Sequence, residues 1–231
     1  MNLPYFYEES ITQSTQFLSE ETSGHCIRVL RMKAGEKLQL TDGKGNLYTA
    51  TIINADKKNC KVKTEVISCE PPPVSHVSIA VSLLKNPTRL EWFMEKATEI
   101  GVKEIIPLIC AHTEKENFRF ERMHNILVSA MLQSRQTWLP ELHQPKKFDA
   151  IINDGFDGLK LIAHCTEDEK RSLKDVANQN RSKLILIGPE GDFAKTEIES
   201  ALKNNFIPVS LGNTRLRTET AAIVAAALLS V

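Results

Sequence analysis

A run of polar residues stands at the start of the last helical segment of the chain. The stretch NTRLRTETAA contains Arg217, Thr218 and Glu219 and leads into small apolar residues. Arg217 carries a permanent charge and a planar set of donors, which suits a phosphate or an oxygen that gains negative charge. Thr218 can cap a helix, and free N–H groups at a helix start attract acceptors. The alternative is that Thr218 and Glu219 only cap the helix while Arg217 is solvated.

A second candidate is the turn Gly188-Pro189-Glu190-Gly191, which follows the apolar run LILI. In open α/β sheets, ligands bind beyond the carboxyl ends of the strands, where this turn is expected. Its two glycines allow a ligand to approach the backbone, and Glu190 lies between them. A turn whose carboxylate only faces water is the alternative. If the two strands are parallel neighbours, Glu190 and Arg217 meet at one edge of the sheet.

A third candidate is the basic stretch HCIRVLRMKAGEK near the N-terminus. A short helix is predicted around Gly24 to Arg31, and on it Arg28 and Arg31 share a face. Such a pair suits contacts to nucleic-acid phosphates. An ordinary solvated basic face is the alternative interpretation.

The chain that positions these residues falls into two patterns. Up to residue 70, the runs KLQL, LYTATII and CKVKTEVI alternate or are β-rich and are separated by turns, which predicts a small β-rich domain over 1–70. The prolines Pro71-Pro72-Pro73 predict a linker over 71–75, because a proline run continues neither a sheet nor a helix. Residues 76–231 form the predicted second domain.

In this second domain, apolar strands alternate with helices, which predicts an α/β fold with a mostly parallel sheet covered on both faces. The predicted strands are HVSIAVSLL, VKEIIPLIC, GLKLIAHC, SKLILIG and FIPVSLG. The predicted helices are PTRLEWFMEKATEIG, ERMHNILVSAMLQSRQTWL up to Pro140, DEKRSLKDVANQ, AKTEIESALKNN and the last segment. Lys96 and Glu99 are three positions apart on a helix and predict a structural ion pair.

Composition excludes several classes of function. Lys plus Arg and Asp plus Glu number 29 each, so net charge gives no global nucleic-acid signal. The five cysteines are scattered and no C-x-x-C occurs, which favours a reduced, cytoplasmic protein. The start lacks the features of a signal peptide, and the apolar run 221–229 is too short to span a membrane. No phosphate loop or G-x-G-x-x-G is present, and the six histidines lack metal-ligand spacing, so no metal is predicted.

The motifs together resemble one known family. IGPEGDF…EIESA and VSLGNTRLRTETAA are similar to the two C-terminal motifs of the RsmE family, the 16S ribosomal RNA uridine-N3 methyltransferases of the SPOUT superfamily. LLKNPTRLEWFMEKATEIGVKEIIPL and LQSRQTWLP resemble its middle motifs. HCIRVLRMKAGEKLQLTDGKGNLYTATI resembles its N-terminal domain, so the resemblance covers nearly the whole chain.

The resemblance implies a SPOUT-type trefoil-knotted parallel sheet with an N-terminal PUA-like β-barrel domain that binds RNA. It implies S-adenosyl-L-methionine as cofactor, bound in the knot, and a homodimer. The implied substrate is a specific uridine of 16S ribosomal RNA, methylated at N3 on the assembled 30S subunit during ribosome biogenesis in the cytoplasm. A SPOUT enzyme acting on another RNA, such as transfer RNA, and a binding module without chemistry are the alternatives. A nucleotide-using α/β hydrolase is a further one, but it lacks a phosphate loop here.

The resemblance also assigns residues. The cofactor would contact three strand-end segments: Ala163, His164, Ile187, Gly188, Glu190, Gly191, Leu211, Gly212, Leu216, Thr218 and Ala221. Arg217 would stabilise the negative charge that develops on the uracil oxygens when N3 loses its proton. Glu190 or Glu219 would take that proton. Arg28 and Arg31 would contact RNA phosphates.

The chain departs from the family pattern after the GPEG turn. The family commonly shows GPEGGFS, whereas Asp192 and Ala194 replace the second Gly and the Ser here. The loss of the Ser removes a capping box with Glu197, and Asp192 is expected to cap the helix instead. Arg215 stands in a segment that differs from the family, so no role passes to it.

Overall fold

The computed structural model describes residues 3–12, 14–166, 169–177 and 180–230. Its contacts divide the chain into a first unit, Met1–Pro72 with Met131–Leu139, and a second unit, Pro73–Ala130 with Pro140–Val231. Sequence analysis places the segment 131–139 in the second domain, whereas the fold places it in the first unit. Within the described ranges, no helix combines the length and the apolar character that a membrane span requires.

The first unit is a five-stranded sheet in the order β1-β3-β4-β5-β2. Its strands are β1 Tyr5–Tyr7, β2 Thr15–Phe17, β3 Lys37–Thr41, β4 Asn46–Asn54 and β5 Lys61–Cys69, so the three predicted strands are confirmed. Helix α1 (Glu20–Gly24) and a π-helical turn (His25–Val29) lie between β2 and β3. Alternate residues of the strands, among them Leu38, Leu40, Ala50, Ile52 and Val62, are buried in one core.

The predicted helical face shared by Arg28 and Arg31 is wrong. Arg28 belongs to the π-helical turn, but Arg31 lies beyond its end with a left-handed φ of 56°. The chain therefore turns away before Arg31 can stack on Arg28. Both arginines are exposed, as are Val29 and Leu30 between them.

The segment Met131–Leu139 packs on the first unit through its main chain. The Thr137 carbonyl accepts from the Gly45 N–H at 2.9 Å, and the Leu139 N–H donates to the Gly43 carbonyl at 2.9 Å. The Tyr5 hydroxyl donates to the Gln136 carbonyl at 2.8 Å. The predicted helix up to Pro140 is thus too long, because the chain leaves the helix at Gln133 to make these bonds.

The second unit contains an eight-stranded parallel sheet, in the order β11-β13-β10-β12-β6-β7-β8 with β9 also on β7. Its strands are β6 Val77–Ser82, β7 Glu104–Ile109, β8 Glu141–Leu142, β9 Lys146–Lys147, β10 Leu159–Ala163, β11 Arg171–Ser172, β12 Lys183–Ile187 and β13 Ile207–Ser210. Its helices are α2 Pro87–Ile100, α3 Phe120–Gln133, α4 Phe148–Asn153, α5 Leu173–Ala177, α6 Lys195–Lys203 and α7 Thr218–Ser230. The predicted α/β class and parallel sheet are confirmed, and the knot stays a prediction.

The two ends of helix α2 are determined by local sequence. The Asn86 side chain caps it by accepting from the Thr88 N–H at 3.0 Å, and Pro87 occupies the first turn. Gly101 ends it with a φ of 90°. The predicted ion pair is confirmed, with Lys96 Nζ 2.8 Å from Glu99 Oε1.

The predicted helix DEKRSLKDVANQ is shorter than expected. Arg171–Ser172 is a strand that pairs with β13, and the helix begins only at Leu173. The positions 168, 178 and 179 of this stretch lie outside the described residues. Sheet pairing overrides the helical pattern at its start.

Candidate active site

One cavity lies where β10, β12 and β13 end, at the carboxyl edge of the parallel sheet. Its volume is about 650 Å³. That size is within the range of pockets that bind small molecules and cofactors. Three segments line it, one beyond each strand: 163–165 with Lys170, 187–192 without Gly191, and 209–218 with Ala221.

The cavity brings together most of the residues that the sequence and the resemblance single out. Those that line it are Ala163, His164, Ile187, Gly188, Glu190, Leu211, Gly212, Leu216, Arg217, Thr218 and Ala221. Gly191 and Glu219 do not line it. Arg28 and Arg31 belong to the first unit, where both are exposed.

The expected reason for this meeting is wrong in one respect. β12 and β13 are not neighbours, because β10 lies between them and pairs with both. Glu190 and Arg217 still reach the same edge, since all three strands are parallel and their carboxyl ends meet there. The end of β10, with Ala163 and His164, therefore forms the centre of the cavity floor.

The loop between β12 and α6, residues 188–194, is tied down by its own side chains and its neighbours. Asp192 has a left-handed φ of 66°, where a side chain is uncommon. Its carboxylate accepts from the Cys165 N–H at 2.7 Å and from the Phe193 N–H at 2.8 Å. His112 Nδ1 lies 2.9 Å from the Asp192 carbonyl oxygen. Asp192 thus links the segment after β10 to the segment after β12.

The expectation that Asp192 caps α6 is wrong. The residue before the helix is Ala194, and its N–H donates to the Glu197 carboxylate at 2.9 Å. The other oxygen of Glu197 accepts from the Ala111 N–H at 2.8 Å. Because Glu197 satisfies the helix start, the Asp192 carboxylate is free to bond across the cavity floor.

In the described part of the chain, the loop between β13 and α7, residues 211–217, has hydrogen bonds at its ends only. Ser210 Oγ lies 3.1 Å from the Gly212 carbonyl oxygen, and the Arg217 carbonyl accepts from the Ala221 N–H at 2.8 Å. Arg215 and Arg217 are exposed, and neither has an ion pair among the described residues. Arg217 therefore has a backbone fixed on α7 and a side chain that is available to a ligand.

Arg89 connects the two candidate carboxylates. Its Nη1 lies 3.1 Å from Glu190 Oε1, and its Nε lies 3.7 Å from Glu219 Oε1. The Glu219 side chain is 9% exposed, and its Oε2 has no hydrogen-bond partner in the described part of the chain. Glu190 lines the cavity and is 40% exposed. Lys85, whose pKa is raised mainly by Glu114, also lies within the electrostatic reach of Glu190.

Sequence reasoning missed Arg89 and Lys170. Arg89 follows the end of β6, which pairs with β12, so the rule of strand ends applied to β6 would have found it. Lys170 donates to the His164 carbonyl at 2.8 Å and lines the cavity. Because Lys170 does not directly follow the end of β10, no motif in the sequence pointed to it.

A separate polar cluster lies at the opposite edge of the sheet. Glu104, Glu141 and His143 each bring one ligand atom within 4.8 Å of the others. His143 Nε2 is 2.7 Å from Glu104 Oε1, and the Ser78 hydroxyl also donates to Glu104. Glu104 is distant in sequence and meets Glu141 and His143 only through the pairing of β7 with β8, so spacing in the sequence does not show the cluster. The hydrogen bonds account for the cluster by themselves.

Comparison with protein families defines the class. Residues 70–230 match the family model of the RNA methyltransferase domain, and residues 18–65 match the model of the RNA methyltransferase PUA domain. The fold and the strand-end cavity are thus those of an RNA methyltransferase that carries a PUA domain.

Individual relatives narrow the class further. The chain is 30% identical to ribosomal RNA small subunit methyltransferase E of Buchnera aphidicola, over 96% of this chain and 91% of the relative. A probable rRNA-methyltransferase from Porphyromonas gingivalis is 41% identical with a TM-score of 0.91, covering 97% of this chain and 95% of that one. Ribosomal RNA small subunit methyltransferase E from Neisseria gonorrhoeae, solved with S-adenosyl methionine, is 26% identical with a TM-score of 0.86, over 98% and 96%. The chain belongs to the ribosomal RNA small subunit methyltransferase E family, which confirms the resemblance drawn from its motifs.

Proposed function

We propose that the protein methylates N3 of a specific uridine in 16S ribosomal RNA, using S-adenosyl-L-methionine, on the 30S subunit. The observation that carries the proposal is the shared cavity, in which the GPEG turn with Glu190 faces the loop with Arg217. The relatives named above support the ribosomal substrate. Uridine in another RNA is a less favoured substrate, since no described feature selects it.

The residues of the cavity suit this cofactor. The volume of about 650 Å³ is ample for a nucleoside joined to an amino acid. A Cβ at position 188 would lie 3.0 Å from the Phe193 ring, so glycine is favoured there. Without a side chain at this position, the backbone of the turn is open to a ligand. Gly212 has a φ of 142° that other residues rarely adopt, and space is open around it. Lys170 supplies a cation for a carboxylate.

The residues that would act in the reaction are divided between the two loops. When bound, the cofactor would supply a methyl group on a positively charged sulfur, which would keep the electron pair of the carbon–sulfur bond. Arg217 would bind the uracil oxygen on which negative charge develops once N3 loses its proton. A carboxylate at the cavity would accept that proton, which would leave N3 a lone pair for the bond to the methyl carbon. The cavity walls would hold the two reactants in line.

The remaining parts of the proposal concern partners. Arg28 and Arg31 are exposed and would contact RNA phosphates from the first unit, within a PUA-like domain over 1–70. Helix α7 has half-buried apolar residues, among them Ile223, Val224 and Leu228, which would pack against a second copy in a homodimer. The reaction would take place in the cytoplasm, where ribosomal subunits assemble.

Incubation of the purified protein with tritiated S-adenosyl-L-methionine tests the proposal. The substrates are 30S subunits that lack the modification, naked 16S ribosomal RNA and transfer RNA. A methyl group at N3 blocks Watson–Crick pairing, so reverse transcriptase stops next to the modified uridine. We expect label on the 30S subunit and one new stop in 16S ribosomal RNA. Label on transfer RNA alone, or on an atom that leaves pairing intact, would refute the proposal.

A further inference from the structure

We propose that Arg89 is a positioning residue for methyl transfer: anchored by the buried Glu219, it holds Glu190 at the cavity as the group that accepts the uracil N3 proton. This inference rests on the proposed function. It assigns different tasks to the two carboxylates that the sequence could not distinguish.

Three separate elements meet at Arg89. Arg89 lies in the first turn of α2, Glu190 in the loop after β12, and Glu219 in the first turn of α7. The guanidinium reaches Glu190 through Nη1 at 3.1 Å and approaches Glu219 through Nε at 3.7 Å. A guanidinium can serve two carboxylates at once because its donors point in fixed, different directions. Arg89 therefore ties the tip of the GPEG turn to the start of α7.

Burial separates the roles of the two carboxylates. Glu219 is 9% exposed and does not line the cavity, whereas Glu190 is 40% exposed and does. A buried carboxylate needs a nearby opposite charge, and Arg89 is the cation that pairs with Glu219 in the described structure. Glu219 thus fixes Arg89 in place, and only Glu190 can reach a base in the cavity.

The contact leaves Glu190 able to act. Arg89 donates to Oε1 only, and no described residue donates to Oε2. Arg89 is the charged group in direct contact with Glu190 in the described structure, and Lys85 acts on it at longer range. Lys170, Asp192, Arg215 and Arg217 line the same cavity. With Oε1 held by Arg89, Oε2 of this cavity-lining residue keeps its lone pairs for a substrate proton. The proton would pass from N3 to Oε2 of Glu190, leaving its bonding pair on N3, and Glu190 would later release it to water.

The test compares Arg89→Gln, Arg89→Lys, Glu190→Gln and the double variant Arg89→Gln/Glu190→Gln. Arg122→Gln is the matched control. Arg122 lies in α3 and forms an ion pair at 2.5 Å with Glu91 of α2, the helix that also carries Arg89. Neither Arg122 nor Glu91 lines the cavity. For each protein, kcat and KM are measured on 30S subunits, the Kd of S-adenosyl-L-methionine by calorimetry, and Tm by thermal unfolding. The Kd and Tm report on the protein independently of turnover.

Loss of positioning has a defined signature. We expect Arg89→Gln to lower kcat by about 10- to 100-fold, with KM and the cofactor Kd changed by less than about threefold. Arg89→Lys should recover part of kcat, since an ammonium can pair with one carboxylate but does not bridge two. Because Arg89 acts through Glu190, the double variant should be no slower than Glu190→Gln alone. Arg122→Gln should keep kcat within about twofold.

Two results would overturn the role of Arg89 while the enzyme remains active. One is an unchanged kcat in Arg89→Gln. The other is a loss of kcat that is matched by a weaker cofactor Kd and a lower Tm, is not recovered by lysine, and adds fully to Glu190→Gln. A wild-type protein that places no methyl group on uridine N3 would instead refute the proposed function, so the two failures are distinguishable.

Discussion

The two loops that face each other across the cavity are built in opposite ways. In the loop 188–194, the Asp192 carboxylate accepts hydrogen bonds from the N–H groups of Cys165 and Phe193, and Glu190 forms an ion pair with Arg89. Within the described ranges, the loop 211–217 has hydrogen bonds only at its two ends, and its arginines have no ion-pair partner. One wall is organised before a ligand arrives, and the other keeps its charged groups for the ligand. The loop 188–194 is therefore suited to positioning the reactants, and the loop 211–217 is suited to stabilising charge that develops in the reaction.

The largest effect is expected in the loop 211–217, from the substitution of Arg217. Arg217→Ala should lower kcat on 30S subunits by about 10²- to 10³-fold, because a charge that develops in the reaction loses its donor. The cofactor Kd should change by only a few fold. Arg215→Ala, in the same loop, should cause a much smaller loss. Equal losses for the two arginines would mean that the loop contributes general positive charge rather than one directed group.

A smaller effect is expected from the backbone of the same wall. Gly212 has a φ of 142°, and alanine there would cost about 1–3 kcal/mol in backbone strain or force the loop to move. We expect Gly212→Ala to weaken cofactor binding by about tenfold in calorimetry. Gly155→Ala is the matched control, because Gly155 is exposed, has no positive φ and has open space around it. Unchanged binding in Gly212→Ala would show that the loop tolerates another path.

In the loop 188–194, Asp192→Gly should affect stability and cofactor binding to different degrees. Glycine relieves the left-handed φ of 66°, which offsets about 1 kcal/mol, while two hydrogen bonds of similar worth are lost. The net loss of about 1 kcal/mol should lower Tm by only about 2–4 °C, whereas the cofactor Kd should rise about three- to fivefold because Cys165 is no longer held. Asp192→Asn, which keeps one acceptor oxygen, should fall between. A drop in Tm much larger than this would make Asp192 a residue of general stability.

The smallest effect comes from an ion pair outside both walls. The hydrogen bond from Arg122 lowers the pKa of Glu91 below its usual 4.5. A carboxyl group with a lowered pKa in the folded state stabilises the fold above that usual value, and this contribution is lost as pH falls through the lowered pKa. Arg122→Gln should lower Tm by about 1–2 °C at pH 7, and the difference from wild type should shrink as pH falls below 4.5. A difference that stays constant as pH falls below 4.5 would point to packing instead.

The sequence predicts the two loops well because their signals are local. Apolar runs end in Gly188 and Gly212, and the polar residues follow directly. The strand order is not local, so the position of β10 between β12 and β13 could not be derived. Arg89 was missed for the same reason: its helix starts at the end of β6, which meets β12 only in the folded sheet. Asp192 was misassigned as a cap because Glu197 provides the capping bond from inside the helix.

The nine-residue excursion Met131–Leu139 limits how the molecule can be divided. A fragment that stops at the proline run would expose the Gly45 N–H, the Gly43 carbonyl and the Tyr5 hydroxyl, which bond to this distant stretch in the intact chain. Truncation after residue 72 should therefore yield an incomplete module. An isolated N-terminal module for RNA-binding studies would need residues 131–139 grafted back or supplied as a peptide.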